Sequence, residues 1–468
     1  MLAEIPLDII LEVTSFLDLQ DSLRFIATCS SFHSLASTKD LWFKTLDRIQ
    51  NAHMQPLPCQ FGTDISSLPI AALRKLAIHA YALKKNWSSD RAIPVSVRTF
   101  PLGADYGEIR VIPGTNFVVT NSNERFVCWD TTSGASLGAV EHEDANTGYQ
   151  LGRSPPFQSL GQCFIGLASK SSTKLTLIVV RIDYRDESAV TVSRIYSKIL
   201  STPEFQPTAI PDVALDDEVI GMVFGGLIDQ FSLLVYCGFQ DHIVHRVPLD
   251  IRAGLGSTPS CVLYKGNFYI NCQSSDEPCT IIRVRIGTSG PSNAEVEKIS
   301  LHIPSIPEIQ TQYVSFAPAL LLPPKYGVFN VTRRTSEVRT AGFPERTQRV
   351  YFWPAADPGN DSRLEFGEVC AYEHPTEITG PFCGSSGRVA VLIDRGQRRH
   401  FLRPQTGLGV VRYAAHPAPH TTFHRLDTAA VGINFYTAVV ALDDTLGVVY
   451  VTHLGAGAAA SMAVLRYA

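Results

Sequence analysis

The sequence predicts an α+β multidomain chain, with an all-α N-terminal part followed by an all-β domain of about seven repeated units. Three observations predict it. Over the first 90 residues apolar side chains recur at spacings of three and four, the period of a helix face. From residue 92 that period gives way to short runs rich in Val, Ile, Phe and Tyr, set between Gly, Pro, Asn and Asp. The length of 468 residues also exceeds what one ordinary core organises. These changes divide the chain into a helical unit at 1–50, a linker with an amphipathic helix at 51–91, and a β domain at 92–468.

In the first unit Ile5, Ile9, Val13 and Phe16/Leu17 mark one helix face, expected to be buried, with Ile10 and Leu11 widening the same side. Pro6 fits the first turn, where its missing N–H is not needed. The helix should stop near Leu17, and Asp21 can cap a short second helix over 22–27. Ser30-Ser31 opens a third over 31–36, and Thr38-Lys39-Asp40 caps a fourth carrying Leu41, Trp42, Phe43 and Leu46. So few residues bury little surface, so the unit needs steadying by a partner or by the rest of the chain. After a Pro-containing linker, residues 66–87 place Leu73, Leu76, Ala77, Ala80, Leu83 and Trp87 at helical spacing. Ser66 or Ser67 can cap that helix, Pro69 falls in its first turn, and Lys84-Lys85 are expected to be a solvated C-terminal end.

The clearest β unit is 107–140, with strands at 108–112, 116–120 and 125–130, the third ending in Trp129-Asp130, and then a fourth. Antiparallel strands so closely spaced, joined by Pro-Gly and Ser-Gly turns, are how a blade of a WD-type β-propeller is written. Six weaker echoes lie at 160–192, 219–249, 261–286, 314–353, 380–413 and 426–467, with 140–158 and 289–311 expected to be loops. The segment 93–100 is a lone strand that can complete the last blade and close the ring, removing an exposed sheet edge.

Composition excludes several functions. A net charge of −4 offers no electrostatic reason for a nucleic-acid partner. No stretch approaches the 18 apolar residues of a bilayer span, so no membrane is expected. Glu4 and Asp8 stand where a secretory signal would have its cationic and apolar regions. Ten irregularly spaced cysteines form no CxxC and no zinc-type set. An intracellular setting, cytoplasmic or nuclear, is expected, with no metal and no cofactor. HExxH, GxSxG, P-loop, GxGxxG and kinase signatures are absent, and no catalytic residue is assigned. Asp216-Asp217-Glu218 and Asp443-Asp444 are expected in solvated turns. His416, His420 and His424 would align on a helix, but Pro417 and Pro419 oppose one, so an exposed loop is expected. Arg395, Arg398, Arg399 and Arg403 form the one dense basic stretch. It is either a solvated hairpin turn or a contact surface for an acidic or phosphorylated target.

The order Ile5-Pro6-x-x-Ile9-Ile10-x-x-Val13-x-x-Phe16-Leu17-x-Leu19-x-Asp21-x-Leu23, then Cys29-Ser30-x-Phe32-x-x-Leu35-Ala36, then Leu41-Trp42, resembles an F-box across residues 2–45. Ile5 replaces the family's usual Leu and Phe32 its frequent Trp, both apolar exchanges. The string 68–87 is similar to the connecting helix of fungal F-box proteins with a propeller-like second domain. The resemblance implies that Pro6, Ile9, Ile10, Val13, Leu17, Leu23 and Leu35 form the set that faces a Skp-type adaptor and the unit's own interior. Leu41-Trp42 would close the bundle. It implies a substrate-recognition adaptor of an SCF-type cullin–RING ubiquitin ligase, with the propeller binding an unidentified target protein and no catalysis by this chain. The alternatives are a non-ligase F-box scaffold and, behind it, a propeller enzyme with carboxylates at the ring axis.

Overall fold

The computed structural model describes residues 5–51, 55–103, 108–122, 124–142, 149–151, 154–170, 174–186, 189–201, 211–225, 230–237, 243–252, 260–271, 280–286, 294–300, 310–318, 326–340, 343–356, 364–374, 378–394, 407–414, 418–431, 438–453 and 460–468.

Five helices open the chain: α1 (Leu7–Phe16), α2 (Leu19–Ile26), α3 (Ser30–His33), α4 (Lys39–Asn51) and α5 (Ile70–Trp87). Asp18, rather than Asp21, caps α2, its carboxylate accepting the Asp21 N–H at 2.7 Å. Ser66 and Ser67 do not cap α5. They belong to a single 3₁₀ turn capped by Asp64, and α5 begins after Pro69, whose extended backbone interrupts the helical run. Trp42 is almost fully buried, its indole N–H donating to the Ala36 carbonyl at 2.9 Å, with the Arg74 guanidinium 5.9 Å from its ring. Arg48 of α4 donates to the carbonyls of Thr14 and Ser15 at 3.3 and 2.8 Å, satisfying the open end of α1.

The remainder is a seven-bladed propeller. Six blades lie in chain order at 108–141, 149–201, 212–252, 260–300, 310–374 and 378–426. The seventh combines 438–466 with the strand Ser96–Gly103, which pairs antiparallel with Ala460–Arg466 and places Val97 opposite Leu465. The ring therefore closes through a strand from before the first blade, as the sequence predicts, three residues further along. Arg91–Ala92 adds a short parallel pairing to Arg425–Leu426 at the edge of blade 6.

Trp129-Asp130 ends a strand as expected. The Trp129 N–H donates to Thr120 Oγ1, and Asp130 accepts from Thr132 and Ser133 to form the turn. Four segments differ from expectation. Glu295–Ser300 and the short strands 149–151 and 157–159 lie in what reads as loop. The first is an outer-edge strand whose Glu, Lys and Ser residues blunt the edge and erase the apolar signal. His420–Leu426 is also a strand, starting directly after Pro419 and covered on one edge by Arg91–Ala92.

Asp443 and Asp444 are fully buried, against the expected solvated turn. Asp443 accepts the N–H groups of Thr445 and Leu446 in its own turn at 2.9 and 3.1 Å, and that of Gly114 in blade 1 at 3.0 Å. Asp444 reaches the other way, accepting from Ser385 Oγ at 3.2 Å and from the N–H and hydroxyl of Ser386 in blade 6. Gly384 is required beside it, since a Cβ there would stand 2.2 Å from the Asp444 carboxyl carbon. Asp212 does the same across the ring, accepting the Cys261 N–H of blade 4 at 2.7 Å and Ser154 Oγ of blade 2 at 3.3 Å.

Helix α5 belongs to both halves. Leu73, Ala77 and Ala80 complete the core of the helical unit. Leu83 and Trp87, one and two turns beyond Ala80, lie in the core between blades 6 and 7 with Val391, Val451 and Tyr467. Gly447 has φ +68°, and a Cβ there would meet Leu83 Cδ1 at 2.2 Å, so the blade 7 turn fits the helix only with glycine. His79 Nε2 lies 3.0 Å from the Leu446 carbonyl, and Asn86 donates to the carbonyls of Ile93 and Tyr467 at 2.7 and 2.8 Å.

Two predictions follow from this packing. Leu83→Ala should lower unfolding free energy by about 2–5 kcal/mol in urea titration, as a large-to-small change in a closed core. The second concerns pH. Burial raises the Asp443 carboxyl from its ordinary 3.8 to about 6, outweighing its hydrogen bonds. The folded chain then holds that proton more tightly than the unfolded chain does. The contribution is therefore fully present below about pH 4 and is lost as pH rises through about 6. Urea titrations at stepped pH should show the wild type losing stability relative to Asp443→Asn across that window; a constant difference would refute the assignment.

Candidate functional site

A helix turns about 100° per residue, which puts Phe16, Ile9 and Val13 within about 60° of one another on α1, with Ile5 and Pro6 flanking them. That face points outward. Ile9 is 51% exposed, Val13 46% and Phe16 82%, while Ile10, Leu11 and Thr14 fill the interior side. The apolar stripe expected to be buried is thus the one left uncovered, and the core is served by the narrower side beside it. The reason is local: α4 crosses α1 on the Ile10–Thr14 side, and Arg48 holds it there through the last carbonyls of α1.

Of the residues implied by the F-box resemblance, Pro6, Ile9 and Val13 share this exposed face. Leu17 and Leu23 are half-buried, and Ile10, Leu35 and Trp42 are interior. Phe16 and Ile5 belong to the exposed face as well, outside the set that the resemblance implies. The signal was present, since Phe16 stands three residues after Val13 and Ile5 four before Ile9. Charge is sparse along the stripe: Glu12 flanks it, 3.8 Å from Lys44 of α4.

The β domain's candidates divide differently. Arg395, Arg398, Arg399, His400, Arg403 and His416 lie outside the described residues. His420 Nδ1 bonds the Ala418 carbonyl, whereas His424 Nδ1 lies 3.0 Å from the Ser89 carbonyl at the end of α5, so the two serve separate backbone groups. Among the described residues no three His, Cys, Asp or Glu side chains group as metal ligands, and the described cysteines are free thiols. The Asp443 and Asp444 oxygens all accept hydrogen bonds, from Asp443's own turn and from blades 1 and 6. Asp216 forms the expected turn, accepting from Glu218 N–H and Val219 N–H, with burial raising its carboxyl. No helix among the described residues is long and apolar enough to cross a membrane.

Residues 2–47 match the F-box-like family. No curated protein matches the chain by sequence. Solved structures that resemble it include the WD40 domain of SCAP from fission yeast, at 10% identity and TM-score 0.39, covering 79% of this chain and 98% of that one. Hsv2 of Kluyveromyces marxianus has 11% identity and TM-score 0.37, covering 75% and 93%. The polysaccharide lyase Uly1 has 9% identity and TM-score 0.38, covering 78% and 90%. Likeness at that level carries no argument about activity. The N-terminal helical unit thus matches the F-box-like family model, and it precedes a seven-bladed β-propeller.

Proposed function

We propose that this chain is a substrate-recognition adaptor of an SCF-type cullin–RING ubiquitin ligase. The face formed by Ile5, Pro6, Ile9, Val13 and Phe16 docks a Skp-type adaptor, and the propeller holds a target protein. The observation that carries the reading is the uncovered apolar stripe on an F-box-like helix whose opposite side already fills its own core. Fully burying one such side chain is worth about 1.5–3 kcal/mol, so three or four supply a docking energy that water withholds. The chain's own part in the chemistry is proximity: a target held by the propeller meets a ubiquitin-charged enzyme at high effective concentration. Rigid α5 favours this, because it fixes the direction in which the propeller faces once the F-box is docked. Arg395, Arg398, Arg399 and Arg403 are proposed as the target-contacting cluster, suited to acidic or phosphorylated segments. An intracellular location, cytoplasmic or nuclear, belongs to the same proposal.

Ile9→Asp and Phe16→Asp should each cut recovery of a Skp-type adaptor on the full chain at least about tenfold, while changing stability by no more than about 0.5 kcal/mol, as exposed positions do. Ile10→Ala should instead cost about 2–5 kcal/mol as a core truncation. Undiminished adaptor recovery by both Asp variants would exclude the docking face. Recovery of adaptor without cullin would favour a scaffold role over a ligase one.

A further inference from the structure

Three cations, Arg48, Lys84 and Arg412, come from the elements that meet where the helical unit adjoins blade 6, and among the described residues no carboxylate bonds to any of them. Arg412 projects from the blade 6 strand Gly407–Ala414, donating from Nη1 to Ser88 Oγ at 3.0 Å and from Nη2 to Gln55 Oε1 at 3.1 Å. Lys84 lies one turn before Ser88, whose hydroxyl donates to the Lys84 carbonyl at 2.7 Å. Arg48 precedes Ile49, whose carbonyl accepts the Gln55 N–H at 3.1 Å. Cations at the ends of α4 and α5 are ordinary, because helix C-termini favour positive charge. Arg412, which another domain brings to Gln55 and Ser88 beside those ends, is not accounted for by either helix.

The electrostatics agree with the geometry. Burial lowers Arg412, and Lys84 is lowered by burial and then by the nearby Arg412 and Arg48. The carboxylate that acts on both Arg48 and Lys84 is Asp18, which is exposed and bonded to Asp21 N–H and the Tyr81 hydroxyl. His424, at the same seam, is lowered by burial, also feels Arg412, and has Asp90 as its acidic neighbour.

Gln55 supplies an independent observation. It is 1% exposed, and its Nε2 donor has no partner. Its orientation is settled, because the Arg412 guanidinium occupies Oε1 and a flipped amide would set donor against donor. Arg48 Nε is a second buried donor without a partner. Unmet buried donors are costly, and here they accompany cations that no carboxylate bonds. A water can answer one donor but none of the charge.

We infer that the seam between α4, α5 and blade 6 is a binding site for a phosphate-type oxyanion, held by Arg48, Lys84, Arg412 and the Gln55 amide. A tetrahedral dianion offers enough acceptors for ammonium, guanidinium and amide at once. The burial of Gln55 and Arg48 Nε suits a single compact group, whether free phosphate or one phosphorylated side chain of a partner. Occupancy would tie the propeller to the F-box-like unit by charge in addition to the packing of α5.

The test is thermal unfolding of the full chain at constant ionic strength, with sodium chloride replaced stepwise by inorganic phosphate, and in parallel by a phosphoserine peptide. The expected result is a saturable rise in melting temperature of a few degrees over chloride, as a ligand of the folded state produces. Lys84→Gln, at a half-exposed position, should leave the chloride melting temperature unchanged and raise the phosphate midpoint about tenfold, one lost charge-assisted bond. Gln55→Glu should raise the melting temperature in chloride and abolish the phosphate effect by supplying the anion internally. A peptide midpoint about tenfold lower than that of inorganic phosphate identifies a phosphorylated partner as the source; equal midpoints identify the free ion. No rise beyond chloride, or the same midpoint in the wild type and Lys84→Gln, overturns the site.

Discussion

One helix belongs to two hydrophobic cores, and the rest of the structure depends on it. The first half of α5 supplies Leu73, Ala77 and Ala80 to the helical unit, and the second half supplies Leu83 and Trp87 to blades 6 and 7. A flexible tether between an F-box-like unit and a propeller would leave the two free to tumble. A helix buried at both ends couples them as one body, because bending it would open both cores. Small residues make this approach feasible. Ala77 and Ala80 let the helix lie close to its own unit, and Gly447 lets a blade turn meet Leu83 without a clash.

The propeller has a related economy. Its blades are held laterally by apolar packing and also by buried carboxylates that bond backbone and hydroxyl groups of the adjoining blade. Asp443 and Asp444 are consecutive yet reach in opposite directions, so one turn joins blade 7 to both its neighbours. Blade 7 is where the two ends of the ring meet, and it also receives α5. A double polar joint therefore sits where the ring closes.

Much of this was legible in the sequence, in proportion to how local the signal was. Helix period, the Trp129-Asp130 ending and the recurrence of apolar runs each depend on neighbouring residues, so the helices, seven blades and a closing strand could be anticipated. Edge strands such as Glu295–Ser300 escaped because an outer edge is built to look polar. Asp443 and Asp444 escaped because their partners, Gly114 and Ser386, lie in other blades, and nothing in a pair of aspartates tells a solvated turn from a buried joint. On α1 the stripe was visible but its direction was not, since periodicity identifies an apolar face without saying what covers it. For the same reason the seam around Arg412 had no sequence signal: its members come from α4, the segment after it, α5 and blade 6.

Ring closure has a consequence for how the protein is made. Asn86, at the end of α5, bonds the carbonyl of Tyr467, 381 residues later, and the strand Ser96–Gly103 waits for Ala460–Arg466. During synthesis the N-terminal helices emerge complete while Leu83, Trp87 and the waiting strand remain bare until blade 7 has left the ribosome. Contacts so distant in sequence form last. A chain cut short of Ala460–Arg466 would carry the N-terminal helices intact but display an apolar helix end and an open strand edge, the marks by which chaperones and proteases recognise unfinished proteins. The fold thereby makes coverage of α5 a certificate that blade 7 is complete.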